Sequence, residues 1–392
     1  MTLIKIALRL LISKKRFSYT NISIFLSLFS FMLAISISLI VIGVARGYKN
    51  NVELEISNIE PDVLITHPIQ DFISSNTIDI FIENNSSIFK DDIIHAKFIT
   101  SHGMIKKKNK SWGVIFYAME REEINKIFKF NYLNRYQSDS DFLYISKDLY
   151  SKLGLVEEEE LYIFNIEKMI YDDTIKGVKN QVTGIYETNI KTFDKNVIFI
   201  SLDKARDLLA LDLNSYSGLM LENINSNHID KIKTNSDLFY ESWENKHYNL
   251  LNWLMIFSNP IKLILIFILL LSVLYKVFTF WLVLYDKTSS LNYLKILGAS
   301  NIIINKISYN IIILLSFFSL LFGSIIALIL SAIQNYYQVI TVDPMIYILS
   351  EINSVIFLSD IFYLSIFSLF TLILLTKIIT YFKFRKIVLS DL

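Results

Sequence analysis

Side chains that could carry catalysis or hold a metal ion are sparse in this chain of 392 residues. The five histidines (His67, His95, His102, His228 and His247) are scattered, and no two of them have the spacing of metal ligands. The chain has no cysteine, no glycine directly before a lysine as in a phosphate-binding Walker loop, and no nucleophile elbow. These patterns predict no catalytic residue, no metal and no bound cofactor.

Four long apolar segments dominate the rest of the sequence. They lie at residues 17–45, 261–284, 307–333 and 356–375. A run of about 20 apolar residues is what an α-helix needs to cross a bilayer. The pattern predicts a membrane protein with four transmembrane α-helices, one before and three after a large α+β domain.

The apolar and charged segments divide the chain into nine parts. We expect an interfacial N-terminal helix at residues 1–16, transmembrane helices at 17–45, 259–285, 302–333 and 356–380, an extracytoplasmic domain of two subdomains at 46–258, a cytoplasmic coupling helix or loop at 286–301, an extracytoplasmic loop at 334–355 and a cytoplasmic tail at 381–392. The first segment is either an interfacial helix or a ragged start to the first span. The first span is too long for an ordinary secretory signal, so we do not expect cleavage.

The large charged segment mixes strand-like and helix-like runs, which predicts an α+β domain. The expected strands are residues 63–66, 93–100, 113–118, 161–166, 178–186, 197–200 and 218–221. The expected helices are residues 121–128, 147–153 and 202–211, the last with Ser201 as N-cap. Without cysteines, this domain depends on its core rather than on disulfides.

Charge asymmetry predicts the orientation in the membrane. Only five of the 37 acidic residues lie outside residues 46–262, against 13 of the 38 basic residues. Lysine and arginine accumulate in cytoplasmic loops. The basic N-terminal flank, the loop after the second span and the tail are therefore expected in the cytoplasm, and the large domain outside it. No basic stripe is present that would bind nucleic acid.

The loop after the second span contains a candidate partner-binding element. Residues 288–297 can form a short amphipathic helix with Leu291, Leu294 and Leu297 along one side, and Gly298 stands where a helix stop belongs. Such a helix can dock into a groove on a soluble partner. It could equally lie on the lipid surface or extend the third span.

Lys276 is a charge within the second span. A charge at that depth is costly unless it faces a cavity or partner, or snorkels toward the membrane surface. Snorkelling is the simpler expectation. The third span is rich in polar residues, which tend to lie at helix–helix contacts. They are Ser308, Asn310, Ser316, Ser319, Ser324 and Ser331.

Several blocks of sequence, taken in order, resemble the lipoprotein-releasing ABC transporter permeases of the LolC/LolE type, within the wider MacB/FtsX permease family. The blocks are residues 47–50 (GYKN) with 61–65 (PDVLI), 145–149 (ISKDL) with 152–155 (KLGL), 182–188 (VTGIYET) with 193–194 (FD) and 197–202 (VIFISL), 293–300 (YLKILGAS) and 343–348 (DPMIYI). The tail at 381–386 lacks the usual proline and small residues, and Lys276 stands where a neutral residue is usual.

The resemblance implies a non-catalytic permease subunit in a bacterial inner membrane, with both termini cytoplasmic. A separate cytoplasmic ABC ATPase would bind ATP and push on a coupling helix formed by Leu291, Tyr293, Leu294, Lys295, Leu297 and Gly298. The spans would relay that movement to the outer domain (mechanotransmission). Acylated lipoproteins would then leave the membrane for a periplasmic carrier. The permease would work beside a second copy or a related permease.

Three other functions stay open at this level. An FtsX-like permease would move no substrate and would regulate a cell-wall hydrolase, but that branch tends to have a smaller outer domain. A MacB-like efflux permease has the same layout but usually a fused ATPase. An intramembrane enzyme is disfavoured, because the spans contain no paired catalytic groups.

Overall fold

The structure is a computed structural model, and it describes most of the chain. The described residues are 19–86, 88–89, 93–107, 110–135, 141–155, 160–166, 177–224, 229, 232, 238–347, 349 and 351–390. The predicted interfacial helix at residues 1–16 lies outside them.

Within the described residues, α-helices and β-strands alternate between two long helical ends. The helices are α1 (Tyr19–Ile59), α2 (Ser75–Asn84), α3 (Arg121–Ile127), α4 (Lys147–Leu153), α5 (Lys191–Asp194), α6 (Leu202–Leu209), α7 (Trp243–Lys246), α8 (Tyr248–Asp286), α9 (Thr288–Ile296), α10 (Asn301–Tyr337), α11 (Pro344–Tyr347) and α12 (Leu358–Ser390). The strands are β1 (Val63–Thr66), β2 (Ile73–Ser74), β3 (Ile94–Lys107), β4 (Lys110–Ala118), β5 (Asn131–Arg135), β6 (Leu143–Ser146), β7 (Glu160–Asn165), β8 (Gly177–Gln181), β9 (Gly184–Glu187), β10 (Val197–Ile200), β11 (Ser215–Tyr216), β12 (Gly218–Glu222) and β13 (Phe239–Ser242).

The chain forms two compact units. The span unit consists of the described residues of Met1–Lys49, Leu254–Ile340 and Ile352–Leu392. The sheet unit consists of those of Asn50–Trp253 and Thr341–Glu351. Residues 341–351, in the middle of the loop between α10 and α12, are thus part of the sheet unit, and an isolated β-bridge joins Thr341 to Glu351.

Among the described residues, four helices are long and apolar enough to cross a membrane, which confirms the predicted fold class. The candidate spans are Asn21–Ile59, Tyr248–Asp286, Ile302–Tyr337 and Leu358–Lys377, with mean hydropathies between 2.0 and 2.7. All four helices extend past the predicted spans, and the two largest extensions are those of α1 and α8. α1 continues past residue 45 to Ile59, and α8 begins at Tyr248 and passes through Pro260.

All four long helices contribute to one buried cluster of the span unit. Phe31 and Leu39 come from α1, Val273 and Phe280 from α8, Ile312 from α10 and Leu372 from α12. Each of these side chains is almost fully buried. Because lipid is as apolar as these side chains, close packing rather than the hydrophobic effect holds such helices together.

The sheet unit is built on an 11-stranded sheet with the strand order β13-β1-β12-β3-β4-β10-β6-β9-β5, from which β7 and β8 branch at β3. The long strand β3 joins the part of the sheet that contains β12 to the part that contains β4. Its residues Ile94–Phe98 pair with β12, and its residues Ile99–Lys107 pair with β4. Successive residues of β3 point to opposite faces of the sheet and enter different cores. Phe98 packs in an aromatic cluster with α3, and Ile99 packs in an aliphatic cluster with α4 and α6.

Most predicted elements of the sheet unit have counterparts in the structure, but one predicted strand is wrong. Residues 178–186 form two strands, with β8 pairing β7 and β9 pairing β6 and β5. The break comes at Thr183, whose N–H donates to the carbonyl of Leu143 and whose Oγ1 accepts from the Leu143 N–H. The division into two subdomains stays a prediction.

Candidate functional site

The short helix α9 follows α8 after a single residue. It starts at Thr288, whose Oγ1 donates to the carbonyl of Leu284 at 3.0 Å. It ends at Ile296, and the Ala299 N–H donates to the Leu294 carbonyl at 2.9 Å. Gly298 has φ of +93°, a backbone conformation that favours glycine. The predicted helix stop is therefore confirmed.

One side of α9 packs against the long helices. Leu291 contacts the cluster shared by the four spans, and Leu294 contacts the cluster of Ile307, Ile311 and Leu315 on α10. Both leucines are half-buried. The predicted row of three leucines is wrong at Leu297, which lies past the helix end and is 83% exposed.

The other side of α9 presents large apolar side chains. Tyr293 is 68% exposed and Ile296 is 80% exposed, next to the exposed Leu297. Lys295 is exposed as well. Sequence reasoning left out Ile296, although it follows Tyr293 at the three-residue spacing that places two side chains on one helix face. The structure thus separates the predicted set into two anchoring leucines and an exposed apolar surface.

The ammonium group of Lys276 lies inside the span unit. Lys276 is 1% exposed, and its Nζ donates to the carbonyl of Leu315 at 3.3 Å and to Ser319 Oγ at 3.0 Å. The same Nζ lies 3.8 Å from the centroid of the Phe31 ring. Snorkelling is therefore wrong for this residue, because a carbonyl, a hydroxyl and an aromatic face from α10 and α1 surround its Nζ.

The polar residues of α10 mostly bond within their own helix. The hydroxyls of Ser308, Ser316, Ser319 and Ser324 donate to the carbonyl four residues earlier. Two serines also reach other elements, since Ser319 accepts from Lys276 and Ser331 Oγ donates to the carbonyl of Ser354 at 3.2 Å. The expectation that these serines mark helix–helix contacts holds for Ser319, which contacts α8, whereas Ser331 contacts the non-helical segment before α12.

Asp194 is a buried carboxylate in the sheet unit. It is 1% exposed, and Thr188 donates to it through its N–H at 3.1 Å and its Oγ1 at 2.7 Å. Burial raises the pKa of Asp194 to about 6, against the lowering effect of the Thr188 hydrogen bonds. Ser146 Oγ also donates to the Asp194 carbonyl, so this corner ties β6 to α5.

Glu60 forms a charged contact with α7 in the sheet unit. Lys246 Nζ lies 2.7 Å from both carboxylate oxygens of Glu60, and His247 Nε2 lies 3.4 Å from one of them. Burial alone would raise the pKa of Glu60, but the hydrogen bonds and positive charges of His247 and Lys246 hold it below its usual range. In the part of the chain that the structure describes, no three histidine or acidic side chains converge as a metal site requires.

Solved structures include domains that are similar to part of this chain. No family model and no curated protein matches the chain. The extracellular domain of the noncanonical ABC-type transporter YknZ from Gram-positive bacteria aligns with a TM-score of 0.30 and 10% identity, over 43% of this chain and 87% of that domain. A domain of a putative permease protein from Porphyromonas gingivalis aligns with a TM-score of 0.26 and 11% identity, over 47% and 89%. Similarities at this level support no inference about function.

Proposed function

We propose that the chain is the permease subunit of an ABC transporter, driven by a separate cytoplasmic ATPase. The observation that carries this proposal is α9, a short helix between two candidate spans that is anchored on one side and apolar on the other. The one-plus-three order of spans around a large α+β domain supports it. The resemblance of the ordered sequence blocks to the permease family supports it too.

The anchoring leucines give α9 a mechanical role. A partner that binds Tyr293, Ile296 and Leu297 would press on a helix whose Leu291 and Leu294 already contact the spans. Packed interiors transmit such displacements because they have low compressibility. In this proposal the ATPase binds and hydrolyses ATP, and the permease contributes no catalytic residue.

The proposed cargo is an acylated lipoprotein, taken from a bacterial inner membrane and passed to a periplasmic carrier. This part follows the LolC/LolE-type sequence blocks, above all residues 182–188 and 343–348. In the proposed orientation both termini and α9 are cytoplasmic and the sheet unit is extracytoplasmic, as the basic loops favour. A second copy or a related permease would complete the transporter.

Affinity purification tests the partners. Tagged full-length protein is extracted from native membranes with mild detergent, and bound proteins are identified by mass spectrometry. A small ABC ATPase together with acylated lipoproteins is the expected result. An ATPase with a cell-wall hydrolase and no lipoprotein would favour the FtsX-like function instead, and the absence of any ATPase would overturn the proposal.

Substitutions on the exposed face of α9 test the docking surface. Ile296→Glu places a charge in the centre of the proposed contact, so we expect the affinity for the ATPase to fall about tenfold or more. Ile296→Leu keeps an apolar side chain and is the matched control, with affinity close to wild type. Leu294→Glu is less informative, because Leu294 also packs against α10.

A further inference from the structure

Two glycines of α1 lie against the chain segment that leads into α12. A Cβ atom on Gly47 would lie 2.0 Å from the carbonyl oxygen of Asn353, and one on Gly43 would lie 2.8 Å from Ser354 Oγ. The Val355 N–H donates to the Gly43 carbonyl at 2.9 Å. Two small residues spaced by four usually let two membrane helices approach each other. Here they let a segment without regular secondary structure approach a helix.

An ion pair fixes the same contact. Arg46, one residue before Gly47, donates to both carboxylate oxygens of Asp360 at 2.6 and 2.9 Å. Its guanidinium also lies 4.6 Å from the ring centroid of Phe357. Asp360 in turn accepts from the Phe357 N–H at 2.9 Å, at the start of α12. Bidentate pairs of this kind are directional as well as strong.

Side chains of α10, together with that of Gln338 just after it, hold the segment from another side. Asn335 accepts from the Ser354 N–H at 2.7 Å and donates to the Ser354 carbonyl at 2.9 Å, as a neighbouring β-strand would. Gln334 Nε2 donates to the Ile352 carbonyl at 3.0 Å, and Gln338 Nε2 donates to Asn353 Oδ1 at 2.8 Å. The segment therefore connects α1 and α10 through polar contacts.

Two polar atoms in this region are buried without a hydrogen-bond partner among the described residues, Ser354 Oγ and Gln338 Oε1. Burying a polar atom without a hydrogen-bond partner is unfavourable, because the atom loses its hydrogen bonds to water and gains none in the fold. Two such atoms raise the free energy of the closed arrangement seen in the structure. The difference in free energy between this arrangement and an open one is therefore smaller than it would be if both atoms were hydrogen-bonded. Segments of this kind are what conformational changes tend to use.

We propose that residues 352–357, with Gly43, Arg46, Gly47 and Asp360, form a latch that joins α1 to α10 and α12 and opens when the spans rearrange. In the closed state α1 cannot move independently of the other two helices. The inference rests on the proposed function for the role of the movement, but the existence of the latch does not depend on any partner.

Thiol labelling tests whether these contacts keep the latch closed. Ser354→Cys introduces the chain's sole cysteine at a 3% exposed position whose hydroxyl makes no hydrogen bond to the described residues. In native membranes we expect slow labelling by a small permeant thiol reagent. Adding Arg46→Ala, Asp360→Asn or Gly47→Ala should raise the rate about tenfold, which corresponds to about 1.4 kcal/mol.

Gly113→Ala is the matched control, because a Cβ there meets nothing within 4 Å. It should leave the labelling rate of the Ser354→Cys protein unchanged. If the three latch substitutions label no faster than this control, the contacts do not hold the segment and the latch is overturned. This test needs no ATPase, so it stands even if the proposed function fails.

A reversible bridge tests whether the latch must open. Arg46→Cys and Asp360→Cys are joined with a short bis-methanethiosulfonate reagent, and Lys147→Cys with Glu187→Cys, another ion pair of the chain, is the control. We expect the latch bridge to abolish stimulation of the co-purified ATPase while the complex stays intact, and a reducing agent to restore it. Full stimulation with the latch bridged would overturn the requirement for opening.

Discussion

Lys276 and Arg46 are two basic residues of the span unit, and they differ in how far they are buried and in what their side chains contact. Arg46 faces a carboxylate in a bidentate pair and keeps 29% of its side chain exposed. Lys276 is 1% exposed, and the partners of its Nζ are a carbonyl, a hydroxyl and an aromatic ring. A pair near solvent can separate and let each ion hydrate, whereas a fully buried charge has no such alternative.

The difference suggests different roles for the two cations. The contact of Arg46 can open and close at modest cost, which suits a latch. The contacts of Lys276 join α8 to α1 and α10 and persist only while those three helices stay together. One cation thus marks a movable joint and the other a fixed one.

The largest expected effect is at Lys276. Lys276→Glu places a carboxylate against the Leu315 carbonyl and the Phe31 ring face, both of which repel it. We expect a loss of about 3–5 kcal/mol in the free energy of unfolding, measured by chemical denaturation in detergent.

Lys276→Met is the matched control, because it keeps much of the volume without the charge. Buried ions replaced by apolar side chains are often neutral or stabilising, so we expect a change within about 1 kcal/mol. A loss as large as that of Lys276→Glu would mean that the positive charge itself holds the joint.

A buried carboxylate in the sheet unit extends the comparison to an anion. The pKa of Asp194 is raised to about 6, above its usual value near 4, so the folded state binds the proton more tightly than the unfolded state. Its contribution to stability is therefore greatest at low pH and falls as the pH rises from about 4 to 6. Asp194→Asn removes this loss.

We expect the difference in unfolding free energy between Asp194→Asn and wild type to move in favour of the variant by about 2 kcal/mol from pH 4 to pH 7. Thermal unfolding of the full chain at the two pH values measures it. A difference that stays constant across this range would show that Asp194 titrates normally in the fold.

The ion pair of the latch should have a smaller energy. A double-mutant cycle with Arg46→Ala and Asp360→Ala should give a coupling of about 1 kcal/mol, the upper part of the range for partly exposed pairs. Additive effects of the two substitutions would mean that the ion pair contributes no coupling free energy. The contrast between Arg46 and Lys276 would then be wrong.

The smallest expected effect is a difference in how the two sites respond to salt. Raising the ionic strength from 0.1 to 1 M shortens the Debye length from about 10 to 3 Å, so the Arg46–Asp360 coupling should fall by roughly half. The loss of unfolding free energy caused by Lys276→Glu should change by no more than about 0.3 kcal/mol over the same range of salt, because no solvent ion reaches that site. Equal salt sensitivity at both sites would contradict the burial of Lys276.

The sequence predicted elements whose signals are local. Helix α4 has its predicted bounds, because Ser146 caps its first turn and Gly154 adopts the left-handed conformation at its end. The hydropathy pattern likewise predicted four spans and an α+β domain between the first two, as the structure shows.

Features that depend on distant residues escaped sequence reasoning. The strand break at Thr183 requires Leu143, 40 residues away, and the fate of Lys276 depends on Phe31 and Ser319 from two other helices. On α9, periodicity gave the anchoring leucines but placed Leu297 on the wrong side. Gly43 and Gly47 form a recognisable small-residue motif, but only the structure identifies the segment that they contact.

The most direct test of the proposed function is photo-crosslinking from the exposed face of α9 in living cells. A p-benzoylphenylalanine probe at Tyr293 replaces one exposed aromatic side chain with another, and the same probe at Tyr162, exposed in the sheet unit, is the control. The proposal predicts an adduct between the Tyr293 probe and an ABC ATPase, with none from Tyr162. Adducts with lipid alone would mean that α9 lies on the membrane surface, and the proposed docking to an ATPase would be wrong.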